Sequence, residues 1–290
     1  MMGRFGGRQP VACVDFGRDK LSILEVAEGT ITRWMTRPLP EDALRNGDPI
    51  LPGYVGEAVR QSMARAGMQA RRVRIALPDE ATVSRQITLP PMPRRDLVKA
   101  MHYVAEQHIP FSIERARWAW DVVHQDRGGI VIYLVATWRD LVDRYAELAT
   151  AAGLEPELLE PRAIAMARAL DQDQALVLDA GANRLHMTLL VGGQPILVDE
   201  IAVDATGPDE REAVDRLLQR AYRHQSSVAG TPGRLAPVLL AGELEFADLE
   251  LPVPGRPVTE VLNGHLPMAP GGFQPGAYLA NLGLSMRKAR

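Results

Sequence analysis

Apolar and polar positions alternate in short blocks from Val11 onward. Val11 to Asp15 is an apolar run that stops at a Gly17 turn; Leu21 to Val26 is a second run; Glu28-Gly29 makes a tight turn into a third, Ile31 to Met35. This spacing predicts an antiparallel meander of three strands. After the Gly-, Pro- and Asn-rich loop EDALRNGDPILPGY, the positions Val55, Ala58, Val59 and Met63 recur at helical spacing. They predict a helix over Val55 to Ala66, closed by Gly67. Strands are predicted at Val73 to Leu77 and Thr82 to Leu89. Between Pro93 and Pro110, Leu97, Met101, Val104 and Ala105 mark one face of a helix, and the second proline ends it. Arg117 to Val123 and Ile130 to Thr137 read as strands, and Arg139 to Ala152 as an amphipathic helix stopped by Gly153.

The second half repeats the grammar of the first. Leu158-Leu159 is a short strand, and PRAIAMARAL, opened by Pro161, is a helix apolar nearly all round and therefore expected to be buried. Ala175 to Asp179, Leu185 to Val191 and Pro195 to Ile201 form another meander. A helix over Pro208 to Ser227, a strand at Val238 to Ala241, a Pro/Gly-rich stretch from Pro252 to Pro275 and a closing helix over Gly276 to Met286 complete the chain. VACVDFGRDKLSILEVAEGTITRW overlays ALVLDAGANRLHMTLLVGGQPILV, strand for strand and turn for turn. Each copy carries Asp-x-Gly at the end of its first strand, at Asp15 and Asp179. A unit repeated at that distance implies two similar lobes. Asp-x-Gly between strands suits an anion: backbone N–H groups line a concavity, Gly allows close approach, and Asp holds a hydrated Mg²⁺. By itself it is also an ordinary turn.

Composition narrows the function classes. The 290 residues carry a net charge of -3, with 46% apolar and 24% charged positions. A chain of this size can bury a large core, and it has no basic surplus for nucleic acid. The single cysteine, Cys13, rules out an internal disulfide and reads as a small buried hydrophobe. No run approaches the ~20 apolar residues of a membrane span. The opening MMGRFGGRQP has no apolar core of a signal peptide and reads as a disordered lead-in over 1–10.

The residues then carry a resemblance. VDFGRDKLSILEV, VRIALPDEATVSRQITLPPMPRRDLVKAMHYVAEQHIPFSIE, VATWRDLVDRYAELATAAGLEPELLEPRAIAMARAL, LVLDAGANRLHMTLLVGGQPI and the ending AYLANLGLSM follow one another in the order found in the PilM family. These are actin-like proteins of type IV pilus assembly. LPPMP followed by a helix ending in AEQHIPF is the most specific block. The resemblance implies an α/β, actin-like, duplicated two-lobe fold. The first lobe would span 11–73 and 154–174, with a small α/β subdomain inserted over 74–153. The second lobe would span 175–290, with a reduced outer subdomain. It implies a cytoplasmic scaffold at the inner face of the membrane that grips the tail of a PilN-like inner-membrane protein between the first lobe and the insertion. Other pilus proteins would be further partners, the membrane would be reached only through a partner, and oligomers are compatible with it.

The resemblance also implies an actin-type site for ATP and Mg²⁺. Asp15, Gly17 and Lys20 would form one loop; Asp179, Gly181 and Asn183 the other; Gly242 would approach the adenosine; and Asp15 and Asp179 would hold Mg²⁺ through water. The sequence departs from the family pattern at these places. Arg18, Asp19 and Lys20 stand where Ser/Thr are usual, Asn183 and Arg184 replace small hydroxyl residues, and Gly242 is left from a Gly pair. The expectation is no catalytic residue and at most a slow ATPase with degenerate loops.

Other constellations add little. His102 and His108 are six apart and do not share a helix face, and no cysteine cluster suggests a metal. Trp118 and Trp120 share a strand face and read as packing. Two other functions share the fold. One is a sugar- or acetate-kinase-like enzyme, which needs intact phosphate loops and a carboxylate base such as Asp199 or Asp204. The other is an FtsA-like filament former, which needs a C-terminal membrane helix. A type II secretion component is a third relative of the same fold.

Overall fold

The computed structural model describes residues 9–17, 20–39, 43–181, 184–202, 210–229, 236–242 and 254–287. Two five-stranded sheets share one topology. In the first, β1 (Val11–Phe16), β2 (Lys20–Ala27) and β3 (Thr30–Pro38) form the meander, and β4 (Arg72–Leu77) and β8 (Glu155–Pro161) extend it in parallel beyond β1. In the second, β9 (Gln174–Ala180), β10 (Arg184–Val191) and β11 (Gln194–Ala202) repeat the meander, and β12 (Val238–Gly242) and β13 (Gly255–Pro257) extend it beyond β9. The duplication read from the sequence is thus present in the strand order of both sheets. The strand β13 was not anticipated; it is three residues long, ends in proline and lies in the Pro/Gly-rich stretch.

The layers follow from strand parity, since successive side chains point to opposite faces. On β1, Ala12, Val14 and Phe16 face helices α1 (Pro52–Arg65) and α3 (Arg139–Ala151), joining Val55, Val59, Tyr145 and Leu148 in one cluster. Cys13 faces the other way, toward α4 (Arg162–Leu170) and α6 (Leu279–Met286). On β9, Ala175 and Val177 reach the same α4–α6 layer from the second sheet, while Leu176 and Leu178 face α5 (Glu210–Ala229). The order is therefore α1/α3, first sheet, α4/α6, second sheet, α5. Both sheets are covered on both faces, so their central strands β1, β9 and β12 are near-continuous apolar runs. Full burial pushes the Cys13 thiol up to about 12, so it packs as a hydrophobe and is unreactive.

A third sheet, ordered β5-β7-β6, is built from β5 (Thr82–Leu89), β6 (Ala116–Gln125) and β7 (Ile130–Trp138). Helix α2 (Arg94–His108) packs on one face through Leu97, Met101 and Val104, with Trp118 and Trp120 against that cluster. This unit spans 82–138, narrower than the 74–153 expected. Residues 74–77 belong to β4, which pairs with β1 and β8. Helix α3 belongs to the first lobe because Leu141, Tyr145 and Leu148 complete the cluster around Phe16 and Val59. The closing helix α6 also departs from a simple second-lobe assignment, since it touches β1, β2 and β4. Tyr133 Oη donates to the Pro195 carbonyl at 2.7 Å, fixing the inserted sheet to the second lobe. Of the expected lead-in, residues 1–8 lie outside the described residues; Gln9 accepts a bond from Arg72 through its carbonyl.

Candidate functional site

Asp15 and Asp179 stand at equivalent places in the two sheets, opposite Ser22 and His186 of the neighbouring strands. Parity sends both carboxylates into the central layer, Asp15 with Cys13 and Asp179 with Val177. What meets them is Arg162, the first residue of α4, which follows directly on β8 and Pro161. Its Nε lies 3.2 and 3.1 Å from the two carboxylate oxygens of Asp15. Its Nη2 lies 2.5 Å from Asp179 Oδ2, and Nη1 rests on the Met166 sulfur at 3.1 Å. The side chains are little exposed, 8% for Asp15, 16% for Arg162 and 13% for Asp179. One guanidinium therefore bridges the two lobes.

Burial opposes the charge on Arg162, but Asp15 and Asp179 outweigh it and hold the guanidinium protonated, with its pKa raised. Burial likewise opposes ionised Asp179; Arg162 prevails, helped by His186 and Lys20, so that carboxyl titrates below the ordinary range. Asp79 behaves in the opposite way. It accepts a bond from the Ala163 N–H at 2.9 Å at the start of α4. Burial pushes its carboxyl up to about 7, against the opposing effects of that N–H and of Arg162 and with Glu80 and Asp15 adding to the rise.

A carboxyl raised on folding takes up a proton that the unfolded chain lacks between about pH 4 and 7. Stability from this group falls as pH rises through that window and levels off above it. Asp79→Asn keeps an acceptor for Ala163 and removes the ionisation. Because Asp79 keeps some surface open to the cleft, the expected gain at pH 8 is on the order of 2 kcal/mol, with little change at pH 4.5. Urea unfolding at the two pH values measures it; equal stability of parent and variant at pH 8 overturns the expectation.

A cavity of about 270 Å³ opens beside the bridge, lined by Gly17, Lys20, Asp79, Asp179, Gly181 and Glu200, among others. Of the residues expected at a nucleotide site, Gly17, Lys20, Asp179 and Gly181 line this cavity, and Asp15 reaches it only through Arg162. Asn183 lies outside the described residues, as do Arg18, Asp19 and Asp204. Gly242 is not among the residues that line the cavity; an added Cβ there would sit 2.2 Å from the Ala180 carbonyl oxygen, and its φ is +105°. Its glycine is required by the close pairing of β12 on β9. Asp199 accepts from Arg220 at 2.6 Å.

The residues present do not fit an Mg²⁺-nucleotide. Water-mediated Mg²⁺ needs carboxylate lone pairs facing a hydrated ion, and those of Asp15 and Asp179 face a guanidinium. The Gly181 N–H, expected to face phosphate, donates to the Arg184 carbonyl at 2.8 Å and closes the β9–β10 turn. The cavity lining is of mixed charge, with Asp79, Glu80, Asp199 and Glu200 beside Lys20, Arg162 and His186, and it offers no surplus of cations to a triphosphate. Among the described residues no group of three or more His, Cys, Asp or Glu side chains is disposed to hold a metal. Arg162 is the functional residue that sequence reasoning missed. The signal was there: an arginine heading a helix apolar on every side must find a buried partner.

A search of curated proteins finds no match. Among solved structures, a PilM–PilN type IV pilus biogenesis complex is similar at 21% identity and a TM-score of 0.70, covering 95% of this chain and 97% of that one. The cytoplasmic domain of EpsL, an inner-membrane component of the type II secretion system of Vibrio cholerae, is similar at 14% identity and a TM-score of 0.54, covering 97% of each chain. The ethanolamine utilization protein EutJ of Carboxydothermus hydrogenoformans follows at 12% identity and 0.50, covering 96% and 89%. These likenesses show an actin-like fold. The family model for the type IV pilus assembly protein PilM matches residues 13–202, a span that holds the first meander from Cys13 onward, the inserted sheet, Arg162 and the second meander. The chain belongs to the PilM family of type IV pilus assembly proteins.

Proposed function

We propose that this chain is a non-enzymatic scaffold that captures the cytoplasmic tail of a PilN-like inner-membrane protein as an extended segment. The observation that carries the reading is a groove of about 890 Å³ lined by the inserted sheet, by β8 and α4, and by Gly192 to Pro195 of the second lobe. Ala119, Tyr133 and Val135 line one wall, and Leu158, Leu159 and Ile164 the other. Both walls end in edge strands: β6 is the last strand of its sheet and β8 of the other. An unpaired edge offers a row of backbone donors and acceptors to an incoming strand, and the apolar wall between offers pockets for alternate side chains. The solved PilM–PilN complex supports the choice of occupant.

Among the described residues no helix is long and apolar enough to cross a membrane. In this reading the tail holds the protein at the inner face of the cytoplasmic membrane. The test is fluorescence anisotropy with labelled peptides copied from the cytoplasmic tails of membrane proteins encoded beside this chain. One peptide is expected to bind, and Val135→Lys, which puts a charge on the apolar wall, is expected to weaken it at least about tenfold. Glu212→Lys, on the exposed face of α5, is expected to leave binding unchanged. If no tail peptide binds, the reading fails.

A further inference from the structure

We propose that Arg162 is a built-in cation that takes the place of the metal and nucleotide between the two lobes, latching them without any ligand. The two Asp-x-Gly loops of an actin-like fold face each other across a cleft, and each brings a carboxylate into it. Two carboxylates at short range need a cation between them. Here the cation is covalently part of the chain and is oriented by the backbone of α4. It makes three contacts of 3.2 Å or less with the carboxylates, through Nε to Asp15 and Nη2 to Asp179.

The surroundings fit a permanent occupant. Nη1 is engaged by Met166, four residues on along the same helix. Ala163, the next residue of α4, donates its N–H to Asp79, so the first turn of the helix is anchored on both sides of the guanidinium. The Gly181 N–H is spent on the turn. A ligand would have to displace a charge-assisted pair that is nearly sealed from water, at a cost its own phosphates would have to exceed amid further acidic groups. The inference does not depend on the peptide groove, and neither result decides the other.

Two titrations test it. Isothermal calorimetry of the intact chain with Mg²⁺-ATP is expected to give no binding up to millimolar ATP. Arg162→Ala removes the latch and leaves the two carboxylates facing each other. That variant is expected to gain a Mn²⁺ site, seen as loss of the free-ion EPR signal with a submillimolar Kd, and to be stabilised by Mg²⁺ where the parent is not. Adding Asp179→Asn is expected to abolish the gained site. Three results overturn the proposal: Mg²⁺-ATP binding to the parent that Asp179→Asn removes, a folded Arg162→Ala protein that takes up no Mn²⁺, or Mn²⁺ uptake that survives Asp179→Asn. If Arg162→Ala does not fold even with Mn²⁺ present, the titration of the parent decides alone.

Discussion

Gly283→Ala is expected to cost the fold about 3 kcal/mol or more, the upper range for overpacking a core. Gly283 lies in α6 where that helix crosses α4, and an added Cβ would sit 1.7 Å from the Ala165 carbonyl oxygen and 2.4 Å from its carbonyl carbon. A side chain could rotate away from such a contact; helix backbone cannot. The helices would have to part by more than an ångström. That shift would strain the bond at 3.0 Å from Arg168 Nη1 to the Gly283 carbonyl, and it would loosen the layer that joins both sheets. Gly53→Ala is the control. Gly53 lies in α1 with nothing within 4 Å of a new Cβ, so the change is expected to raise stability by about 0.5–1 kcal/mol. Urea unfolding of the two variants and the parent separates the cases. A Gly283→Ala protein as stable as the parent would mean that the helices do not meet at backbone distance.

Asn281→Leu is the second large effect, expected at about 2–4 kcal/mol from buried polar groups losing their partners. Asn281 is fully buried and sits two residues before Gly283 in α6, about half a turn round the helix. Its Oδ1 accepts from Ser22 Oγ at 3.1 Å, and its Nδ2 donates to the carbonyls of Cys13 at 2.9 Å and Ser22 at 3.1 Å. One amide thus pins the closing helix to β1 and β2. Leucine fills the same space but leaves the Ser22 hydroxyl, 1% exposed, without an acceptor. Ser22→Ala removes that stranded donor. The double variant is therefore expected to be more stable than the sum of the single losses by about 1 kcal/mol. Strict additivity in chemical unfolding would contradict the coupling.

Much of this architecture is legible in the sequence because the strands are apolar runs broken by strong turn residues. Val11 to Asp15 and Ala175 to Asp179 each run into a Gly turn, at Gly17 and Gly181, and helices α1 and α3 carry clear 3.6-residue spacing with Gly67 and Gly153 after them. The strand β13 was missed because three residues ending in proline carry no periodicity. The insertion was read too long at both ends because β4 and α3 are local elements like any other. Only their partners, β1 and β8 for one and α1 for the other, assign them to the first lobe.

The candidate site was legible by half. The sequence by itself determined the duplicated strand–Asp-x-Gly unit and the family block at LPPMP and AEQHIPF. These are local properties, set by alternation, turn chemistry and residue order. The tertiary structure alone decided what the two aspartates meet. Strand parity aims Asp15 and Asp179 at one layer, but only the packing of α4 between the sheets delivers Arg162 to both. A charge partner brought from a distant element leaves no trace in the pattern around the residues it serves.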